Sequence, residues 1–443
     1  MSTSASVYDI IIIGCGPAGI AAGLELRKYS SIPNFLILEA RDRTGGRVYT
    51  DTHTFNSSQP VDLGARWIHH YRPENPLAVY YTPSDKDQIH DHFPHGTNNA
   101  FFDIDGTRLS ESFIIEGKKI TEVLCENVKQ GLPEKYDVSI YDGIREKHEE
   151  IQDDQMRRLV DMNLGFIEQF EASNLDQISA KSYSTLELES DISDLALYTG
   201  FGRFIQQIVA QHPLPIQLNT IVTNIDIPSD KNEPIRITTK DNRHYLTKYV
   251  LITIPLGCLK AGSIKFTPSL PDWKQNAIDQ MGFGLFNKIF IQFPSTFWDE
   301  KFDNIIVTSN SFRFFICNPH DHMLTSVVCG DFARKLEQQT DEQIIEQIVQ
   351  SLKPIYPQIP KPTKWLITRW GSDQFVYGAY SNFKVGATYE TLKALAKECY
   401  DDRVYWAGEH TNYGGNIGCV DSAFESSQRE IKRVYNKLNQ ISN

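Results

Sequence analysis

Two short stretches carry side chains able to do chemistry. "LFNKIFIQF", residues 285–293, sets Lys288 in a strand-like run with aromatic and aliphatic neighbours on both sides. A lysine there must snorkel, find a partner, or shift its pKa downward. "DLGARWIHH", residues 62–70, ends in His69 and His70 behind a tryptophan. Such a pair reads as half of a metal site, as an acid–base group, or as two loop residues. A metal would need two further ligands at workable spacing. Nothing in the sequence positions His90, His92 and His95 with the pair, so no metal site is assigned.

These groups need a scaffold, and the N-terminus holds the clearest pattern for one. In "YDIIIIGCGPAGIAAGLELRK", Ile10 to Ile13 form a short β-branched run ending in glycine, the pattern of a buried parallel strand. Gly14, Gly16 and Gly19 follow as GxGxxG, and Ala21, Leu24 and the stem of Lys28 continue at helical spacing. The first glycine permits the tight turn, the second lets backbone approach a pyrophosphate, and the third lets helix pack on strand. The helix N-terminus then offers N–H groups and positive dipole to phosphate. A second strand, "FLILE", ends at Glu39, twenty-five residues past Gly14, where an acidic side chain accepts ribose hydroxyls. Together these predict a dinucleotide site. Gly45, Gly46 and Arg47 come directly after that strand and point to FAD rather than NAD: the glycines let backbone pass close to a cofactor, and the arginine can pair with phosphate. Near the other end, "RVYWAGEHT" is a strand running into Gly408 and Glu409. An amphipathic helix follows, with Phe424, Ile431, Tyr435 and Leu438 along one face. Such a segment could return to the first domain and cap the far end of a long cofactor.

Bulk properties set the limits. A chain of 443 residues has room for two or three domains. Its composition, 40% hydrophobic and 23% charged, is that of an ordinary globular protein. A net charge of −12 with no basic stripe argues against nucleic acid and is compatible with a cationic substrate. The seven cysteines show no CxxC spacing, so neither a disulfide framework nor a zinc site is expected. With no signal peptide, membrane-spanning run or peroxisomal tripeptide in view, a cytoplasmic protein free of membranes is the expectation.

Seven motifs, in order, carry a family resemblance: "GCGPAGI", "LEARDRTGGRV", "DLGARWIH", "VLITIPLGCLK", "FNKIFIQFPSTFW", "TRWGSDQFVYGAYSNFKVG" and "WAGEHT". Over nearly its whole length the sequence resembles flavin-containing amine oxidases, and within them polyamine oxidases of plants and fungi. The resemblance implies an α/β chain (α+β overall). Residues 1–75, 200–275 and 390–443 would form a Rossmann-like FAD-binding domain. Residues 76–199 and 276–389 would form a substrate domain of mixed sheet and helix, including the acidic helical stretch "IREKHEEIQDDQMRRL". The residues implied to line FAD are Gly14, Gly16, Pro17, Ala18, Gly19, Glu39, Ala40, Arg41, Gly46, Arg47, Gly64, Ala65, Arg66, Trp67, Val222, Trp370, Gly408, Glu409, Gly418, Cys419 and Val420. Ala379 stands where monoamine oxidases have the cysteine that links covalently to flavin, so FAD is expected to bind non-covalently.

The same resemblance implies roles. Lys288 would lie near flavin N5, organise a water and assist reoxidation by oxygen. Tyr380 would be the aromatic wall facing the flavin, with Trp370 packed under its loop. His69 would hydrogen-bond a substrate nitrogen, while His70 takes the place of a small residue. Glu171 would anchor a distal ammonium. The second wall aromatic of many relatives is replaced near Cys419, in a loop from Thr411 to Val420 one residue longer than theirs. The expected reaction is oxidation of a carbon–nitrogen bond of spermine, spermidine or an N-acetylated relative. Hydride would go to the flavin and then electrons to oxygen, giving peroxide, an aldehyde and an amine. Alternatives within the same scaffold are a histone-lysine demethylase, an amino-acid oxidase using Arg66 for a carboxylate, or a non-catalytic binding protein.

Overall fold

A computed structural model describes residues 6–55, 57, 60–69, 71–83, 88–90, 98–131, 136–182, 194–309, 311–414 and 416–441. His70, His92 and His95 lie outside the described residues, and of His90 only the backbone is described. No described helix is long and apolar enough to cross a membrane.

The first strand, Val7–Ile13, pairs in parallel with Phe35–Leu38 on one side and His244–Ile252 on the other. Ile10, Ile11 and Ile12 are wholly buried, because helices cover both faces of a parallel sheet and leave no polar side. The eight-stranded sheet runs 265–267, 222–226, 235–239, 244–252, 7–13, 35–38, 216–217, with 404–406 also pairing in parallel to 244–252. The first helix, Pro17–Leu26, starts with proline at its first position, where a missing N–H costs nothing. It ends at Leu26, so Lys28 does not extend its face as the spacing predicts; the amine pairs with Glu25 instead.

The C-terminal segment does return. Strand Val404–Trp406 joins the sheet, and helix Val420–Ile441 lies on the first helix through buried Phe424, Ile431 and Val434. Tyr435 stacks on Tyr29 at 3.6 Å between ring centroids.

A second, six-stranded sheet runs 364–367, 286–292, 323–329, 314–318, 304–307, 99–102. Alternate side chains face opposite layers, as strand geometry requires. Ile305 and Val307 meet helices Gly330–Glu337 and Asp341–Leu352, whereas Ile306 and Phe314 meet helices Ile140–Glu149 and Asp154–Glu171. The acidic helical stretch, 144–159, is shared between two helices. Asp153 adopts an extended backbone and its carboxylate caps the second helix at Met156 N, 2.7 Å, so the chain breaks there.

Candidate active site

A cavity of about 290 Å³ runs along the carboxyl ends of the parallel strands. Its floor is the glycine turn with Pro17 and Ala18; its walls are Glu39–Arg41, Gly46–Arg47, Val222 and residues 253–255. Gln374–Tyr377, Gly408–Glu409 and Ala423 close it. Each glycine does what its place requires. Gly14 has φ +103°, and a Cβ on Gly19 would lie 2.0 Å from the Gly14 carbonyl oxygen, so helix could not pack on strand. At Gly16 the nearest atom to a Cβ would be Gly46 Cα at 3.9 Å, which leaves bare backbone facing the space. No side chain caps the first helical turn, so its N–H groups stay available to an anion. At the second strand's end, Glu39 Oε2 accepts Cys15 N–H at 2.6 Å and Oε1 accepts Arg41 N–H at 2.8 Å. Burial raises its pKa against these two bonds. Uncapped helix end, bare glycine backbone and fixed carboxylate fit the pyrophosphate and ribose of a dinucleotide.

Arg47 stands at the junction to the rest of the site. Its Nη1 donates to Ala379 O at 2.6 Å and to Glu409 Oε1 at 2.8 Å, so this nitrogen joins protein groups where the sequence suggested a phosphate partner. Glu409 also accepts Gly418 N–H at 3.0 Å and the Ser381 hydroxyl. Burial would raise the Glu409 pKa, but the Arg47 charge and these bonds hold it below the ordinary carboxylate value. The adjacent His410 is buried and kept neutral, its pKa lowered to about 4 by burial.

Lys288 lies on strand Phe286–Gln292 and settles among the three options open to it. Its Nζ donates to the carbonyls of Asp62 and Gly64, at 2.9 and 2.7 Å, and burial lowers its pKa to about 8. The 62–65 loop is fixed from beneath, where Trp370 Nε1 donates to Leu63 O at 3.1 Å. A Cβ on Gly64 would lie 1.7 Å from Arg47 O, so this loop too is pressed against backbone.

Tyr380 donates its hydroxyl to Gln169 O at 2.8 Å, and its ring lies against Gly418. Helix Asp154–Glu171 ends there, with Ala172 in the left-handed region at φ 53°. Glu171 is 7% exposed, and burial pushes its carboxyl up to about 7. Among the described residues no side chain forms an ion pair with that carboxylate. His69 Nδ1 lies 2.9 Å from Asp194 Oδ2. Burial works against its charged form, but Asp194, and Asp421 beyond, more than offset this and raise its pKa above 6.5.

The structure thus brings Gly14, Gly16, Pro17, Ala18, Glu39, Ala40, Arg41, Gly46, Arg47, Val222, Gly408 and Glu409 to one cavity. Gly19, Gly64 and Trp370 stand behind its walls. Trp67 pairs with Ala196 in a three-stranded sheet, and Arg66 lies 5.6 Å from the Trp67 ring with its pKa lowered by burial. Gly418, with φ +82°, Cys419 and Val420 lead into the C-terminal helix. The sequence reading missed Asp194, Asp373 and Asp421. Asp373 holds Arg41 Nη2 through both oxygens at 2.7 Å, and it lies inside a recognised motif. Asp194 lies in none, 125 residues from its histidine. Among the described residues no group of histidine, cysteine and carboxylate side chains could hold a metal.

Comparison with known proteins agrees with this geometry. Residues 17–434 match the family of flavin containing amine oxidoreductases. Polyamine oxidase 4 of Oryza sativa subsp. japonica is 32% identical, with 97% of this chain and 90% of that protein covered. Human lysine-specific histone demethylase 2 is 30% identical over 96% of this chain, but only 53% of its own length. A solved wild-type putrescine oxidase bound to putrescine has the same fold: TM-score 0.75, 19% identity, 97% of this chain and 99% of that one covered. The chain belongs to the flavin-containing amine oxidoreductase family and is an amine oxidase of polyamine oxidase type.

Proposed function

We propose that this amine oxidase holds FAD non-covalently and oxidises a polyamine: spermine, spermidine or an N-acetylated relative. The observation that carries the substrate class is Glu171, a buried carboxylate facing no cation of the protein among the described residues. Burying a charge without a partner is costly, so its natural partner is an ammonium that arrives with the substrate. A monoamine has no second ammonium to give it. The 31–32% identity to two polyamine oxidases supports the same reading.

The discontinuous strands of the large sheet, all within 1–75, 200–275 and 390–443, support reading these segments as the FAD domain. Gly14, Gly16 and the first helix would hold the pyrophosphate, Glu39 the ribose, and the loops at Gly64 and Gly418 the ring system. When bound, the flavin supplies the hydride acceptor and the route of electrons to oxygen. The protein's share is placement and proton handling. Tyr380 presents an aromatic face to the amine, Glu171 fixes the distal ammonium, and His69 meets the reacting nitrogen. Lys288, with its lowered pKa, holds a proton at Nζ near neutral pH beside the 62–64 carbonyls. Ala379 offers no thiol for a covalent link.

The test is anaerobic bleaching of the flavin by spermine, spermidine, N1-acetylspermine, benzylamine and an amino acid. Polyamines should bleach it; bleaching by benzylamine or the amino acid alone would overturn the substrate class. The match to a histone demethylase favours a second reading, methylated lysine, which a dimethyl-lysine peptide in the same panel would reveal.

A further inference from the structure

We propose that Asp194 is a positioning residue for amine oxidation: it pins the Nδ1 proton of His69 and so presents Nε2 as acceptor of the proton a substrate ammonium must lose. The inference rests on the reading above that His69 faces the reacting nitrogen. Strand Asp194–Ala196 runs antiparallel to Trp67–Ile68, with Ile68 opposite Leu195, so Asp194 is brought beside His69. Asp194 Oδ2 lies 2.9 Å from Nδ1, and its side chain is 11% exposed while the imidazole keeps 40% of its surface open. Asn75 Nδ2 fixes the histidine backbone by donating to His69 O at 3.2 Å.

The surroundings favour the same proton. Besides Asp194, the charge of Asp421 in the first turn of the C-terminal helix acts on His69, with Glu425 one turn further and held by Asn412 Nδ2 at 2.7 Å. The Cys419 thiol nearby is kept neutral by burial. On the neighbouring strand the register sets His90 opposite Asp194. Asp194 and Asp421 both favour the charged ring, so the imidazolium is stabilised where it forms.

The step balances as a proton transfer. The ammonium N–H bond breaks, its electron pair stays on nitrogen, and a new N–H bond forms at Nε2, so charge moves from substrate to the imidazole beside Asp194. A free alkylamine is protonated up to about pH 10, and only the neutral amine can lose hydride, so some group must take this proton. Asp194 does for the tautomer what a carboxylate behind a histidine does generally: it fixes which nitrogen carries the proton.

Asp194→Asn tests this in the holoenzyme, since an amide oxygen still accepts the Nδ1 proton but carries no charge. We expect unchanged flavin content, an acid limb of the anaerobic reduction rate moved to lower pH, and the same move in the His69 NMR titration of histidine-labelled protein. Asp194→Ala, with no acceptor, should also lower the plateau rate, and His69→Ala should lower it on the order of 10²-fold. A His69 titration and rate profile that stay in place in Asp194→Asn would overturn the proposal. A wild-type enzyme that polyamines fail to bleach would instead overturn the substrate reading, and the His69 titration would still decide the pairing.

Discussion

The two ends of this site are built from different materials. The cradle is mostly backbone: glycines pressed against carbonyls, an uncapped helix end, and one carboxylate held by two amides. The reaction end is mostly side chains whose charge states burial has moved, Lys288, Glu171 and His69, each from a different segment. Geometry limits the first and electrostatics the second, so they should fail in different ways.

The sharpest break is in the cradle. Gly19→Ala puts a methyl group 2.0 Å from the Gly14 carbonyl oxygen. Such overpacking costs roughly 3 kcal/mol or more, and the purified protein should be colourless. Gly262→Ala, where nothing lies within 4 Å, serves as its control: strain at φ +62° costs only about 1 kcal/mol and flavin stays bound. Equal flavin loss in both would refute a packing explanation.

At the reaction end, Lys288→Met should leave bleaching by amine nearly intact and slow reoxidation on the order of 10²-fold. In the wild type, reoxidation should fall as pH rises through about 8, where Nζ loses its proton. Stopped-flow mixing with oxygen separates the two half-reactions; a variant slowed equally in both would mean that Lys288 serves only the 62–64 loop.

Glu171→Gln comes next. Its KM for spermine should rise about tenfold, some 1.4 kcal/mol, with benzylamine unaffected. Stability should move the other way. Because burial raises the folded-state pKa from 4.5 to about 7, the folded chain keeps a proton that the unfolded chain gives up between those values. That stability is complete below 4.5 and lost as pH rises through 7. Glu171→Gln should therefore melt higher than wild type at pH 8 and match it at pH 4; identical melting at both would show a solvated carboxylate. The smallest effect is expected for Asp373→Asn, which loosens Arg41 at the cavity wall and should weaken flavin binding by ~1 kcal/mol in titration of apoprotein.

The contrast also explains how much the sequence could tell. Gly14, Gly16, Gly19 and Glu39 were legible because backbone constraints repeat wherever a strand turns into a phosphate-binding helix, and their spacing is local. Lys288 was visible as an oddity, one charge in an apolar strand, but its partners are carbonyls, which carry no residue signature. Asp194 was invisible: it reaches His69 through a short strand with no motif of its own. The acidic stretch 144–159 is helical, but its division into two helices was not legible, because nothing in its composition marks Asp153 as a cap. The cavity wall at 374–377 was missed because it lies within a segment assigned to substrate.

One side chain ties these regions in time as well as space. Arg47 reaches Ala379 and Glu409 across sequence separations of 332 and 362 residues. Closing loops of that length is slow and brings no reward until both ends are present. During synthesis the N-terminal glycine turn emerges early, but its cavity lacks a wall until residues 404–423 have left the ribosome. Flavin capture therefore belongs to the end of synthesis, and a nascent chain stalled before that strand would carry a completed phosphate-binding motif and no cofactor.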